Sequence, residues 1–128
     1  LAAPQNKISM EITALHLMAN LHDCSAPSLM TDATVLRTRC LEMVADAKLT
    51  IIDDKFYQFD IGNGVTGVVL LAESHLAIHT WPERGYVTLD VFVCNLHCDN
   101  NQKAEQLFNN LISAFSPARQ HRYQVSRD

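Results

Sequence analysis

A face of lysine and arginine, the footprint of a nucleic-acid binder, is missing from this chain. Fourteen acids outnumber ten bases and the formal charge is −4. Apolar runs of the length that crosses a bilayer are missing too. The opening Leu1-Ala2-Ala3-Pro4-Gln5-Asn6-Lys7 has no apolar core of the kind a signal peptide carries and reads as a loose leader. The expectation is a cytoplasmic protein whose partners include neither nucleic acid nor membrane. The four cysteines, Cys24, Cys40, Cys94 and Cys98, then read as reduced thiols rather than disulfides. No repeat, low-complexity tract or linker divides residues 1–128, which fit one domain of ordinary size. None of the four lysines (Lys7, Lys48, Lys55, Lys103) sits in a recognisable pyridoxal motif, so a borrowed cofactor of that type has no support.

What is present is enough apolar material for a core, 48% of the residues. Ile8, Met10, Ile12 and Ala14, then Leu15, Leu17, Ala19 and Leu21, recur at spacing two. They predict a strand with a bulge where the phase changes. Cys24 to Met30, with Ser25, Pro27 and Ser28, reads as a loop. Thr31 or Asp32 can cap a helix running to about Lys48. Leu49 to Ile52 and Lys55 to Phe59 form a second strand, and Gly62-Asn63-Gly64 a turn whose glycines permit positive φ. Strands follow at Val65 to Ala72, His75 to Thr80 and Tyr86 to Cys94, with a turn at Pro82-Glu83-Arg84-Gly85. A helix from about Asn100 to Phe115 is ended by Pro117, and Arg119 to Val125 is the last strand. Few helices among several antiparallel strands predict an α+β two-layer sandwich, with the helices on one face of an antiparallel sheet. The other face is left for a second subunit.

The richest stretch is Glu73-Ser74-His75, followed by His79-Thr80-Trp81-Pro82-Glu83 and, twenty residues after the serine, Cys94. A serine at the exit of a buried strand can attack the carbonyl of its own preceding residue, here Glu73. The amide becomes an ester through an oxyanion that needs donors in place. Removal of the serine α-proton then expels the ester by β-elimination. The remaining dehydroalanine loses ammonia and becomes a pyruvoyl group, a cofactor made from Ser74 itself. That ketone can capture a substrate amine and act as the electron sink for loss of carbon dioxide. His79 suits the proton transfers because an imidazole titrates near neutrality. Thr66 lies on the preceding strand of a plausible hairpin and could donate to the oxyanion. Cys94, kept as a thiol in apolar surroundings, can return a proton to carbon.

A metal reading competes with this one. His75 and His79 at spacing four would share a helix face and could bind zinc there. On a strand they lie about 13 Å apart at ~3.3 Å per residue, too far for one ion. Cys94, His97 and Cys98 lack a clear fourth ligand, so no metal is expected.

These residues resemble the bacterial short-chain class of S-adenosylmethionine decarboxylases. The likeness runs from Phe56-Tyr57-Gln58-Phe59 through Gly64-Val65-Thr66-Gly67-Val68-Val69, across Glu73-Ser74-His75 and His79-Thr80-Trp81-Pro82-Glu83, to Asp90-Val91-Phe92-Val93-Cys94. The resemblance implies cleavage between residues 73 and 74, with Ser74 as pyruvoyl precursor, His79 as processing acid or base, Thr66 as helper hydroxyl and Cys94 as proton donor. It implies that Glu83 holds ribose hydroxyls and that Phe59, with Phe56, stacks on adenine. It further implies a homodimer of processed units with sites near or across the interface. The small-molecule substrate would be S-adenosylmethionine, whose decarboxylated form donates aminopropyl groups for spermidine synthesis. Relatives that act on ornithine or arginine make those the alternative, since the loop Asp60-Ile61-Gly62-Asn63 departs from the family pattern.

Overall fold

The computed structural model describes residues 12–128. Ile8 and Met10 of the expected first strand lie outside them. The chain runs β1 (Ala14–Cys24), α1 (Pro27–Thr31), α2 (Ala33–Asp46), β2 (Ile51–Gln58), β3 (Val65–Leu71), β4 (Ser74–Trp81), β5 (Tyr86–Cys94), α3 (Asn101–Phe115) and β6 (Pro117–Arg127). A 3-10 turn over Pro82–Arg84 joins β4 to β5. The six strands form one sheet in the order β2-β3-β4-β5-β1-β6, every neighbouring pair antiparallel.

Alternation along the strands decides the two faces. Val87, Leu89, Val91 and Val93 of β5 and Leu76 and Ile78 of β4 are buried. So are Leu15, Leu17, Ala19 and Leu21 of β1. They pack against Leu36, Cys40, Met43 and Val44 of α2 and Leu107, Leu111, Ile112 and Phe115 of α3. Each Val, Leu, Ile, Met or Phe among them removed from water contributes roughly 1.5–3 kcal/mol. The result is the expected two-layer α+β sandwich, with the helices on one face. The opposite face, carrying His16, His75, His79, Asp90 and Phe92, is only half-buried.

The termini of the helices follow from local chemistry. Asp32 caps α2 by accepting from the amides of Thr34 and Val35 at 3.0 and 3.2 Å. The Ala33 amide is taken by Gln58 Oε1 at 2.7 Å, which ties the helix start to β2. α3 ends on Ser116 in the left-handed region (φ 45°), and Pro117 follows.

Two expectations change. Cys24 to Met30 is not a loop: β1 reaches Cys24, and Pro27, pre-set for the first helical position, opens the short helix α1. The phase change at Ala14 and Leu15 is not a bulge, because the register with β5 runs unbroken from Ala14 to Leu21. The irregularity sits instead in β2, between Ile51 and Asp53, within the single second strand that was expected.

Gly67 faces Phe56 across the β2–β3 ladder, and a Cβ at this position would overlap the Phe56 ring. Gly67→Ala is therefore expected to cost about 1–3 kcal/mol through overpacking. Urea unfolding in a non-cleaving Ser74→Ala background, with and without Phe56→Leu, checks this: the smaller partner should recover part of the loss.

Candidate active site

β3 and β4 form a hairpin whose connection is two residues long, Ala72-Glu73. Ser74, the first residue of β4, pairs with Leu71 on one side and Val93 on the other. Its φ is 144°, a region that side-chain-bearing residues rarely enter, at a cost of order 1–3 kcal/mol. The amide of Cys94 donates to the Glu73 carbonyl at 2.7 Å. The carbonyl next to Ser74 thus already has a donor aimed at its oxygen, the arrangement an oxyanion needs. The Glu73 carboxylate accepts from the Thr50 amide and the Thr50 hydroxyl, both at 3.0 Å. Glu73, Ser74 and Cys94 are thereby gathered at one end of β4.

Cys94 ends β5 half-buried beside a cleft of about 230 Å³ lined by Ala72, Glu73, Leu96, His97, Cys98 and Asn100. The Leu96 amide lies 3.4 Å from Cys94 Sγ and donates to it. Behind it, Asn100 Nδ2 donates to the Cys94 carbonyl at 2.9 Å, and the Asn100 amide donates to Asn95 Oδ1 at 2.7 Å. Two asparagines therefore fix the loop that carries the thiol's neighbours.

His79 and Thr66 form a second group. They are opposite each other in the β3–β4 ladder, with Thr66 Oγ1 3.2 Å from His79 Nδ1. Both line a cleft of about 260 Å³ together with Phe59, Ile61, Trp81 and Glu83. Glu83 is presented by the 3-10 turn, which closes on Gly85 at φ 57°. The loop before β3 comes close on the other side. Gly64 is required there for space rather than for positive φ, since a Cβ would lie 2.7 Å from the Thr80 carbonyl oxygen. Thr80 anchors the floor: its hydroxyl donates to the Met30 carbonyl at 2.7 Å and accepts from the Val65 amide at 2.9 Å.

The expected site residues thus fall into two sets, Glu73-Ser74-Cys94 and Thr66-His79-Glu83-Phe59. Ser74 and His79 are five positions apart on one strand, ~16 Å at ~3.3 Å per residue. Thr66 goes with His79 and does not reach the Glu73 carbonyl of its own chain. Phe56 joins neither set: it packs over Gly67 against the helix layer, on the face opposite its expected role. Ile61 and Trp81 line the second cleft although no motif marked Ile61 and Trp81 reads as a turn residue. Among the described residues no group of three or more His, Cys, Asp or Glu is disposed to hold a metal ion. No helix among them is long and apolar enough to cross a membrane.

Known proteins place this architecture. The family model of S-adenosylmethionine decarboxylase matches residues 15–128. The chain belongs to the S-adenosylmethionine decarboxylase family. It is 37% identical over 116 residues to the S-adenosylmethionine decarboxylase proenzyme of Archaeoglobus fulgidus, covering 91% of this chain and 98% of that one. It is 40% identical over 103 residues to the proenzyme of Hydrogenobaculum, covering 80% and 72%. The crystal structure of the Aquifex aeolicus adenosylmethionine decarboxylase superposes with a TM-score of 0.78 at 35% identity, covering 88% of each chain.

The cysteines differ in environment. Burial pushes the Cys40 thiol up to about 12, with Arg39 opposing weakly. Burial and then the Asp23 charge push Cys24 up to about 11. Both remain protonated and unreactive near neutrality. Iodoacetamide should therefore modify exposed Cys98 first in the native protein and reach Cys24 and Cys40 only after unfolding. Peptide mapping of timed samples checks this, and rapid native labelling of Cys40 would contradict it.

Proposed function

We propose that the chain is a proenzyme that cuts itself between Glu73 and Ser74 and then decarboxylates S-adenosylmethionine. The observation that carries the first half is the Cys94 amide on the Glu73 carbonyl at 2.7 Å, beside a serine held at φ 144°. Ser74 Oγ adds to the Glu73 carbonyl carbon while its proton passes to a base. The negative oxygen stays on the Cys94 amide, the C–N bond breaks, and the released nitrogen takes the proton. Relief of the backbone strain at Ser74 favours this direction. Abstraction of the Ser74 α-proton then expels Glu73 as a carboxylate. Water releases ammonia from the dehydroalanine and leaves a pyruvoyl group at position 74.

Once formed, that group would supply the ketone that captures the substrate amine and withdraws electrons as carbon dioxide departs. Cys94 holds the proton that is then delivered to the substrate α-carbon, and the Leu96 amide at 3.4 Å supports the sulfur as it takes charge. The second cleft suits the rest of S-adenosylmethionine. Glu83 offers a carboxylate to paired ribose hydroxyls, and Phe59 with Trp81 offers ring faces to adenine. Ornithine or arginine would leave those groups unused, and the relatives described above are named for S-adenosylmethionine.

The base for the cleavage comes from a second copy. His79 stands ~16 Å along β4 from its own Ser74, too far for proton transfer. The half-buried sheet face also carries Leu70, Trp81, Tyr123 and Val125 as exposed apolar side chains. Two such faces packed ~10 Å apart about a two-fold axis bring the His79 end of one β4 over the Ser74 end of the other. Thr66 on Nδ1 then leaves Nε2 of His79 of the partner subunit to serve the scissile bond. Each site takes Ser74 and Cys94 from one copy and Thr66, His79, Glu83 and Phe59 from its partner. The product of such units is the aminopropyl donor for polyamine synthesis.

Intact-mass analysis should give fragments 1–73 and 74–128, the second beginning with a carbonyl-bearing residue, and carboxyl-labelled S-adenosylmethionine should release labelled carbon dioxide. A lasting single chain with a normal serine would overturn the reading. Cys94→Ala should leave the scission and lower turnover by about 10²–10⁴. Ser74→Ala and His79→Ala should each be inactive alone, yet co-expressed they should recover about a quarter of wild-type sites, as random two-fold pairing assembles them. No recovery in verified mixed dimers would place the whole site within one copy.

A further inference from the structure

Thr50 lies outside both clefts and carries no motif, yet all three of its polar groups bond to the two-residue turn that holds the scissile bond. Its amide donates to Glu73 Oε1 at 3.0 Å and its hydroxyl to Glu73 Oε2 at 3.0 Å. Its carbonyl accepts from the Ala72 amide at 2.9 Å. We propose that Thr50 is a positioning residue for the self-cleavage, a clamp that holds the Glu73 carbonyl on the Cys94 amide while Ser74 stays in its strained conformation. This rests on the self-cleavage reading above and adds a residue to it.

The physical argument is one of restraint. A turn that stores ~1–3 kcal/mol at Ser74 relaxes unless its neighbours over-determine it. On the downstream side the restraint is β4 itself, laddered to β3 and β5 from Ser74 onward. On the upstream side the ladder stops at Leu71, and Ala72 and Glu73 have no strand partner of their own. Thr50 supplies what is missing. It grips the residue that bears the attacked carbonyl by its side chain and the residue before it by its backbone. The Glu73 carboxylate is used at both oxygens, so the side chain cannot rotate without breaking a bond to a charged acceptor. The carbonyl is thereby left with one partner, the Cys94 amide.

A structural role alone would make a different prediction. Thr50 is exposed and stands just before the edge strand β2. Hydrogen bonds at an exposed edge add little to global stability. Loss of the hydroxyl should therefore change the rate of scission far more than the melting temperature.

The test follows the loss of full-length precursor after rapid purification, with melting temperatures measured in the non-cleaving Ser74→Ala background. Thr50→Val removes only the hydroxyl bond and should slow scission about ten-fold, equivalent to ~1.4 kcal/mol of barrier. Turnover per cleaved site should stay within about two-fold of wild type, and Thr50→Ser should restore the cleavage rate, as one retained bond of this size requires. In a Glu73→Ala background, Thr50→Val should slow scission no further, because the two changes break the same contact. Scission of Thr50→Val at the wild-type rate, or slowing that adds fully to that of Glu73→Ala, overturns the proposal. If Thr50→Val does not fold, folded Glu73→Ala decides alone: slow scission supports the clamp and wild-type scission rejects it. Failure of the wild-type chain to cleave would instead reject the proenzyme reading, and the two failures are distinct.

Discussion

One hydrogen bond organises the chemistry proposed for this protein: the Cys94 amide on the carbonyl of Glu73. It joins the end of β5 to the start of β4 and sets the Cys94 thiol beside the Glu73–Ser74 peptide. It exists because Ser74 is paired with Val93 in the β4–β5 ladder, one register step from the cysteine. That register is fixed in turn by burial. A slip of one residue would carry Val87, Leu89, Val91 and Val93 from the helix-covered face to the open one. The register that brings Glu73 and Cys94 together is therefore set by packing of the core, and the Thr50 contacts act within it. The backbone donor also survives any substitution at position 94 other than proline.

Much of the fold was legible. In Tyr86 to Cys94 the aliphatic Val87, Leu89, Val91 and Val93 alternate with the other side chains just as the two faces of β5 do, and Leu107, Phe108, Leu111, Ile112 and Phe115, at helical spacing in the sequence, are among those α3 buries. The loop over Cys24 to Met30 failed because serine and proline punctuate loops and open helices alike. The cluster around Ser74 was legible as composition but not as distance. Residues 74 and 79 are close in sequence and invite a single site. Strand geometry spreads them, and only the antiparallel ladder shows Thr66 opposite His79. Phe56 and Phe59 look equivalent as aromatics three apart, yet the pleat and the break after Gln58 send them to different surroundings. Thr50 left no mark at all. A threonine ahead of a strand is ordinary, and its importance comes from a partner twenty-three positions away.

The open sheet face is where polar groups collect. His16 Nε2 is buried without a hydrogen-bond partner and stands 3.6 Å from Asp90 Oδ1. Phe92 lies between the rings of His16 and His75 and under the Arg127 guanidinium. His22 contacts both Tyr86 and His121. Surfaces of this kind, aromatic and sparsely paired, are poorly satisfied by water alone and are consistent with a face covered by another copy.

The strand order has a consequence for the cleavage proposed between Glu73 and Ser74. Residues upstream of that bond supply β1, β2 and β3, and residues downstream supply β4, β5 and β6. These do not form two blocks. β1 is threaded between β5 and β6, while β4 is held by β3. The two pieces are interleaved like the fingers of clasped hands. Parting them would require tearing ladders on both flanks of β1 as well as the β3–β4 seam. The molecule can thus become two polypeptides without becoming two bodies.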